Sequence, residues 1–427
     1  MNTAVILGLF FLFVILKVPV AFSMILASAI SCYVLDLAPI TSVAAAAMNS
    51  LFSYPLLAVP FYIFAGSVMT RGGISKKLCN WIGTIFNKFT GGQGMVTVVA
   101  SAFFAALSGS ASATTASIGS MMLPEMEERG YRKPYALAIA ASGGVIGPVI
   151  PPSVMFVMYG VACEVSIGSM FVAGIVPGVL MATSLCVAVY LTAKKEGLHG
   201  DVDHKFSIGA FFRSMWNAKW AILVPVIILG GIYAGIFTPT EAGAVACVYA
   251  IIVALVIERT MNLKDMVVCA AEAGVTGATI LLLLGAAGIF GKVMTLAQVP
   301  QQLSTAILSV AHSRFAVLLL VNILLLIVGC IMDGGAAVVI MAPLLLPVVE
   351  AFGVDPIMFG LIVCLNLSIG AITPPVGSCL FVATVIGETP MEKIAREIVP
   401  FLLAESLVLL LVNITPVITS GVASLMA

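Results

Sequence analysis

The residues of this chain that could do chemistry are oxygen donors, and they come in two sets. One is the run Leu107-Ser108-Gly109-Ser110-Ala111-Ser112-Ala113-Thr114-Thr115, followed by Gly143, Gly144 and Gly147. The other is Gly329, Asp333, Gly334 and Gly335, followed by Asn366, Ser368, Gly370 and Thr373. Where a helix is broken, backbone carbonyls leave the helical ladder and, with nearby hydroxyls, offer the oxygen cage that a hard monovalent cation takes. The same breaks create half-helix N-termini, whose free amides and positive dipole end suit an anion. The chemistry on offer is therefore paired binding. Each set could hold one cation, with an anionic substrate between the two. No nucleophile arrangement, phosphate-cradling glycine loop or metal-ligand cluster accompanies these residues, so the sequence carries neither an enzyme signature nor a means of hydrolysing ATP.

The two sets are copies of one plan. A shift of 223 positions lays Pro124 on Pro347, Glu127 on Glu350, Gly130 on Gly353 and Gly147 on Gly370. It also lays Pro151 and Pro152 on Pro374 and Pro375, and Pro177 on Pro400, with no gap. The identities fall on Gly and Pro, which shape backbone, rather than on the apolar positions that any membrane chain shares. A duplicated pair of interrupted hydrophobic segments points to a transporter's binding site. The copies differ in one telling place, where Asp333 answers Ser110. A carboxylate at membrane depth is costly and marks function by default. Asp333 could bind a cation, cap the half-helix that follows it or carry a proton. Small residues in membrane spans also serve simply as packing surfaces; it is the duplication, the Pro-Pro breaks and the hairpin lengths together that favour a site here.

These residues need membrane elements to hold them. Of 427 residues, 61% are hydrophobic and 9% charged, with a net charge of zero. That composition belongs to an integral membrane protein, with room for roughly ten or more spans of about twenty residues. Spans that are apolar throughout mean helices rather than a barrel. The first sixteen residues lack a positive leader region and a small-residue cleavage site, so they read as a span. Further spans are expected at 20–35 and 54–69, with 40–52 interfacial. Residues 71–88 interleave Arg71, Lys76, Lys77 and Lys88 with Leu78, Trp81, Ile82 and Ile85, the pattern of a helix lying in the membrane surface. Residues 94–123 are apolar but Ser/Thr/Gly-rich in the middle, which suits a re-entrant hairpin with its tip near 108–112. A span broken at 143–148 occupies 134–161, and another span 167–193. After a polar joint at 194–219, the order repeats. Spans fall at 220–237 and 240–257, a short amphipathic piece at 262–272 and a span at 274–291. A surface helix is expected at 296–312, a hairpin at 315–349 with its tip at 329–335, a broken span at 357–386 and a last span at 398–418.

If each hairpin counts as no crossing, each half crosses an odd number of times and the halves are inserted upside down to one another. Placing the joint in the cytoplasm puts Lys17, Arg71, Lys76, Lys77, Lys88, Arg129, Arg132, Lys133, the joint's own Lys and Arg residues, Arg259, Lys264, Lys393 and Arg396 inside. Only Lys292 and Arg314 fall outside, which satisfies the positive-inside rule and turns both termini outward. Glu164, Glu241, Glu388 and Glu405 lie near expected span ends, where snorkelling is the plain reading. His199 and His204 sit in the joint without a partner pattern. The nine cysteines are scattered and read as small apolar packing residues.

LSGSASATTASIGSMMLPEM at 107–126, GVIGPVIPPS at 144–153, the Met332-Asp333-Gly334-Gly335 tip and SIGAITPPVG at 368–377 resemble the large membrane subunit of a tripartite ATP-independent periplasmic (TRAP) transporter. The resemblance runs along essentially the whole chain. It implies an all-α, elevator-type secondary transporter in the bacterial inner membrane, with two inverted repeats that each hold a re-entrant hairpin and a broken helix. It implies sodium as coupling ion, a small four-helix membrane subunit and a soluble periplasmic binding protein as partners, and a carboxylate such as sialic acid or a C4-dicarboxylate as substrate. No small subunit is fused after the last span, so that partner is expected to be a separate chain. Carried onto this sequence, one sodium site takes Ser108, Gly109, Ser110, Gly144 and Gly147, and the other Gly329, Asp333, Gly370, Thr373 and Val376. Substrate contacts fall to Ser110, Ser112, Ser153, Asp333, Gly334 and Asn366, with the helix breaks at Pro151, Pro152, Pro374 and Pro375. The transport domain would comprise 94–161 and 315–386, carried by scaffold segments 1–93, 162–314 and 387–427. The surface helices at 71–88 and 296–312 would be its arms. A stand-alone sodium–anion symporter is the main rival reading. An ion channel is disfavoured by two oppositely inserted hairpins, and a non-transporting scaffold by the cost of polar tips at membrane depth.

Overall fold

The computed structural model describes residues 2–200, 207–299, 301–302, 305 and 313–415; among them there are eighteen α-helices and no strand. Helices dominate because an apolar chain in lipid must satisfy its backbone groups within each segment. Among the described residues six helices are long and apolar enough to cross a membrane. Their outer faces expose Val226, Val248, Val275, Ile323, Leu403 and Leu407, a surface suited to lipid. The protein is a multi-pass membrane protein.

The chain opens with α1 (Asn2–Ile15), α2 (Val20–Leu35), α3 (Ile40–Leu51) and α4 (Ala58–Arg71). The last two meet at a bend of 61°. Next, α5 (Ile74–Phe86) buries Leu78, Cys79 and Ile82 and leaves Lys76 exposed, as the amphipathic pattern requires. The Lys77 ammonium pairs with Glu258. The first hairpin is α6 (Gly92–Ser108) and α7 (Ala111–Glu128). The first broken helix is α8 (Lys133–Gly144) and α9 (Val154–Ala162), and α10 (Ile167–Glu196) completes the half.

The second half begins with α11 (Ile208–Tyr233), which starts well before the expected 220. It continues with α12 (Pro239–Ile252) and a π-helical end at Val253–Ile257. Here the structure also merges two expected pieces. Residues 262–272 and 274–291 are one 34-residue helix, α13 (Leu263–Leu296). It is opened by a capping box in which Asn262 and Asp265 exchange side-chain-to-backbone bonds of 3.0 Å; with no proline inside it, nothing ends it early. At about 50 Å it exceeds the roughly 30 Å hydrocarbon core. Most of the expected surface helix at 296–312 lies outside the described residues, as does His204. The second hairpin is α14 (Arg314–Ile331) and α15 (Gly334–Glu350). The second broken helix is α16 (Pro356–Gly370) and α17 (Ser378–Gly387), followed by α18 (Met391–Ile414).

One arginine reveals the inversion of the halves. The Arg132 guanidinium pairs with Glu196, the last residue of α10, at 2.5 Å, and with Glu397, near the start of α18, at 2.8 Å. Since α10 and α18 are repeat equivalents and pack side by side, this contact makes them antiparallel. Repeat symmetry extends to small features. Gly130 and Gly353 both adopt positive φ (84° and 71°) where the second hairpin arms end, a conformation natural to glycine. Both Pro-Pro bonds are cis.

Candidate transport site

Each hairpin ends where a broken helix is interrupted. In the first half, Gly109 turns the tip at φ +60°, and a Cβ built on it would lie 3.0 Å from the Pro152 carbonyl oxygen and 3.0 Å from the Val154 nitrogen. A Cβ on Gly144 would lie 2.9 Å from the Ala111 oxygen, and one on Gly147 would lie 2.8 Å from the Ser110 oxygen. Only hydrogen fits at these positions, so glycine is what lets the break touch the tip. Thr114 Oγ1 donates to the Ser110 carbonyl at 2.8 Å and lies 2.8 Å from Ser108 Oγ, which fixes the turn. Ser108, Gly109, Ser110, Gly144 and Gly147 thus come together, and Ser108 and both glycines of the break are buried.

In the second half, Gly329 of α14 meets Gly370 at the end of α16, where a Cβ on Gly370 would lie 2.6 Å from the Gly329 Cα. The Gly377 amide donates to the Cys330 carbonyl at 3.1 Å, tying break to tip. Asp333 is the N-cap of α15, and its Oδ1 accepts from the Gly335 amide at 3.0 Å. That is the capping role among those its position allowed, and Ser110 is likewise the N-cap of α7. Thr373 turns its hydroxyl onto the Ile369 carbonyl at 2.9 Å, and Val376 is 48% exposed beside the tip-to-break bond. Among the described residues no hydrogen bond joins Asp333 to Thr373 or Val376. Gly329 and Gly370 are brought into contact, while Asp333 is exposed.

The two halves interlock reciprocally: α7 packs on α17 and α15 packs on α9. Each hairpin's second arm therefore rests on the half-helix that follows the other repeat's break. Gly334 and Gly335 face Met155 and Met158 of α9, with side-chain atoms 3.2 and 3.3 Å from where their Cβ atoms would be. The first break is buried, whereas Pro374, Pro375 and Val376 are exposed. Of the other proposed substrate contacts, Ser112 is half-buried beside its tip. Ser153 is buried, donating to the Pro148 carbonyl at 2.5 Å and accepting from the Phe156 amide at 3.2 Å, so it pins the break. Asn366 is buried against Asn322 of α14, with a 2.7 Å bond from its Nδ2 to the Asn322 Oδ1; its own Oδ1 has no partner.

The sequence does not single out the unpaired hydroxyls of this region. Ser101, Thr115 and Ser142 are buried without a hydrogen-bond partner. Ser101 faces Gly143 and Thr115 faces Gly144. Buried polar atoms are seldom left unpaired. The Thr-Thr pair at 114–115 was the visible signal, because one member shapes the tip and the next, on a helix, must point elsewhere. Glu405 also departs from expectation. It is fully buried within α18, both oxygens unpartnered, because the helix begins at 391 and puts this acid in its interior rather than at a span end.

The chain matches the family model described as "Tripartite ATP-independent periplasmic transporter, DctM component" over residues 7–418. It is 42% identical over 97% of its length to the isethionate TRAP transporter permease protein DctMQ of Oleidesulfovibrio alaskensis, and spans 65% of that longer protein. It is 37% identical to the C4-dicarboxylate TRAP transporter large permease protein DctM of Pseudomonas aeruginosa, covering 86% of this chain and 85% of that one. Against the sialic acid TRAP transporter large permease protein SiaM of Vibrio cholerae it is 35% identical, covering 94% and 93%. Among solved structures, the YdaH transporter of Alcanivorax borkumensis shares the fold, with a TM-score of 0.64 at 16% identity over 88% of this chain and 87% of that one. These relatives are permeases, and transport rather than catalysis is what they share. With matched residues reaching from α1 to beyond α18, the chain belongs to the DctM family of TRAP transporter large permeases.

Proposed function

We propose that this chain is the large subunit of a sodium-coupled importer that takes a small organic acid from a soluble binding protein. The observation that carries the reading is the reciprocal lock of tips and breaks around unpaired buried hydroxyls. Ser108, Gly109, Ser110, Gly144 and Gly147 would hold one sodium ion, with Ser101, Thr115 and Ser142 in reserve as further oxygens. Gly329, Asp333, Gly370, Thr373 and Val376 would hold a second. Carbonyl and hydroxyl oxygens fit such an ion, in a largely buried setting at the first site and a more exposed one at the second, and nothing in the proposal calls for ATP. The substrate anion would lie between the tips, against Ser110, Ser112, Ser153, Asp333, Gly334 and Asn366.

In this reading the chain sits in the bacterial inner membrane with both termini outward. Segments 94–161 and 315–386 move as an elevator against the remaining spans, with α5 as one arm. A small membrane subunit and a periplasmic binding protein complete the assembly. The name DctMQ and the extra length of that relative fit a second component joined to the permease. Relatives are named for isethionate, C4-dicarboxylates and sialic acid, which supports a small organic anion as the cargo.

The test is uptake into proteoliposomes holding this chain and its small subunit. Labelled isethionate, succinate and sialic acid are each offered with and without an inward sodium gradient and the binding protein. Uptake of one acid that needs both is expected. Uptake with sodium alone would replace this reading with a stand-alone symporter, and uptake indifferent to sodium would remove the coupling ion.

A further inference from the structure

A second polar cavity lies away from the tips. It has a volume of about 480 Å³ and is enclosed by α3 and the turn after it, the end of α9, the last turns of α13 and the middle of α15. Its polar lining is Asn49, Ser50, Ser53, Glu164, Lys292 and Thr295. The hydroxyls of Ser50 and Thr295 are spent on the carbonyls of Ala46 and Gly291 in their own helices. The Asn49 amide and the Ser53 hydroxyl make no such bond. Lys292 and Glu164 are exposed, at the cavity's open side, and among the described residues neither has an ion-pair partner. An ammonium without a counterion, beside a free amide and a free hydroxyl, forms a donor set for one carboxylate or sulfonate. Glu164 adds an acceptor that suits a ligand hydroxyl and repels a second negative charge.

The cavity shares its walls with the tip region. Pro343 of its lining and Gly334 of the second tip are on the same helix, about 13 Å apart along α15. Of its other walls, α9 carries Met155 and Met158, which face that tip. In the orientation proposed above it lies on the outer side, between helices assigned to the moving part and helices assigned to the scaffold.

We infer that this cavity is an outer binding station for the transported acid, selective for a singly charged, hydroxylated organic anion and dependent on Lys292. The inference rests on the transport reading for its purpose. Its chemistry can be tested without transport. Ser53→Cys, made in a Cys163→Ser background, reports the local potential through its labelling rates with anionic and cationic methanethiosulfonates. The anionic reagent is expected to be favoured. Lys292→Gln should cut that preference roughly tenfold, the scale of one lost charged hydrogen bond, and Lys292→Arg should keep it. Isethionate should protect the cysteine better than succinate, and Glu164→Gln should narrow that gap.

Equal preference in the Ser53→Cys reporter with and without Lys292→Gln, with both proteins monodisperse, would overturn the inference. So would protection by phosphatidylglycerol in the vesicle but not by isethionate, which would assign the cavity to a lipid headgroup. In the uptake assay, Lys292→Gln should raise the half-saturating concentration with little change in maximal rate. Lys292-dependent labelling of the reporter, with no uptake by the wild type, would keep the anion site and remove the transport reading.

Discussion

Gly144 and Thr115 face each other so closely that a Cβ on Gly144 would stand 1.9 Å from the Thr115 hydroxyl oxygen. This is where the first break presses on the start of α7, and it accounts for a glycine as the last residue of α8, where any side chain would meet the Thr115 hydroxyl and the Ala111 carbonyl. Gly144→Ala is expected to destabilise the protein by about 1–3 kcal/mol, the usual cost of overpacking. Adding Thr115→Ala should recover only part of this, because the Ala111 carbonyl oxygen remains 2.9 Å from the same Cβ. Thermal unfolding of the purified single and double variants measures both. A Gly144→Ala protein as stable as wild type would mean that tip and break are not held together here.

Asp333 caps α15 from an exposed position, and its two possible roles can be separated. Asparagine caps about as well as aspartate, whereas alanine costs roughly 1 kcal/mol. Asp333→Asn should therefore keep wild-type thermal stability, and Asp333→Ala should lose a little. If Asp333 also holds sodium, both variants should lose sodium-driven uptake in proteoliposomes. Near-normal uptake by Asp333→Asn would leave Asp333 as a cap alone.

The sequence was informative where shape is set by a few residues and less so where it is set by packing. Gly and Pro at fixed spacing revealed the two hairpins and the two breaks because those residues dictate backbone wherever they stand. Ser110 and Asp333, matched by the 223-position shift, prove to be the same N-cap in two copies. Composition did not reveal that 262–272 and 274–291 form one helix, since a polar start on a long helix looks like a separate surface piece. Nor could it show which hydroxyls are spent. Ser153 and Thr114 bond to their own segments, while Thr115 and Ser142 do not, and only the packed structure distinguishes them. The ion pair between Lys77 and Glu258 joins residues 181 positions apart, a separation no local pattern encodes.

Arg132 joins the end of α10 to the start of α18 through Glu196 and Glu397, and the hydrogen bonds it donates to both carboxylates raise its pKa above the ordinary arginine value. It keeps its charge throughout the physiological range, so this contact does not titrate through the guanidinium. The arginine side chain is nonetheless 51% exposed, and solvent screening limits each pair to about 0–1 kcal/mol. A double-mutant cycle of Arg132→Ala and Glu397→Ala should give a coupling within that range, shrinking as salt is raised. A larger coupling that is insensitive to salt would show the contact to be shielded from water.

Glu405 lies at 0% exposure in α18 with neither carboxyl oxygen partnered. An unpaired polar group in such a place costs about 1–3 kcal/mol, so an apolar residue of similar length should relieve the fold. Glu405→Met is expected to raise the thermal unfolding temperature. An acid within a membrane-spanning helix serves function by default, so the same variant should lose uptake severalfold. Glu405→Gln separates the two effects: it keeps the shape and the polar cost, should unfold near the wild-type temperature, and should share the uptake defect because it cannot ionise. A Glu405→Met protein that is both more stable and fully active would show that the carboxyl is a cost without a role.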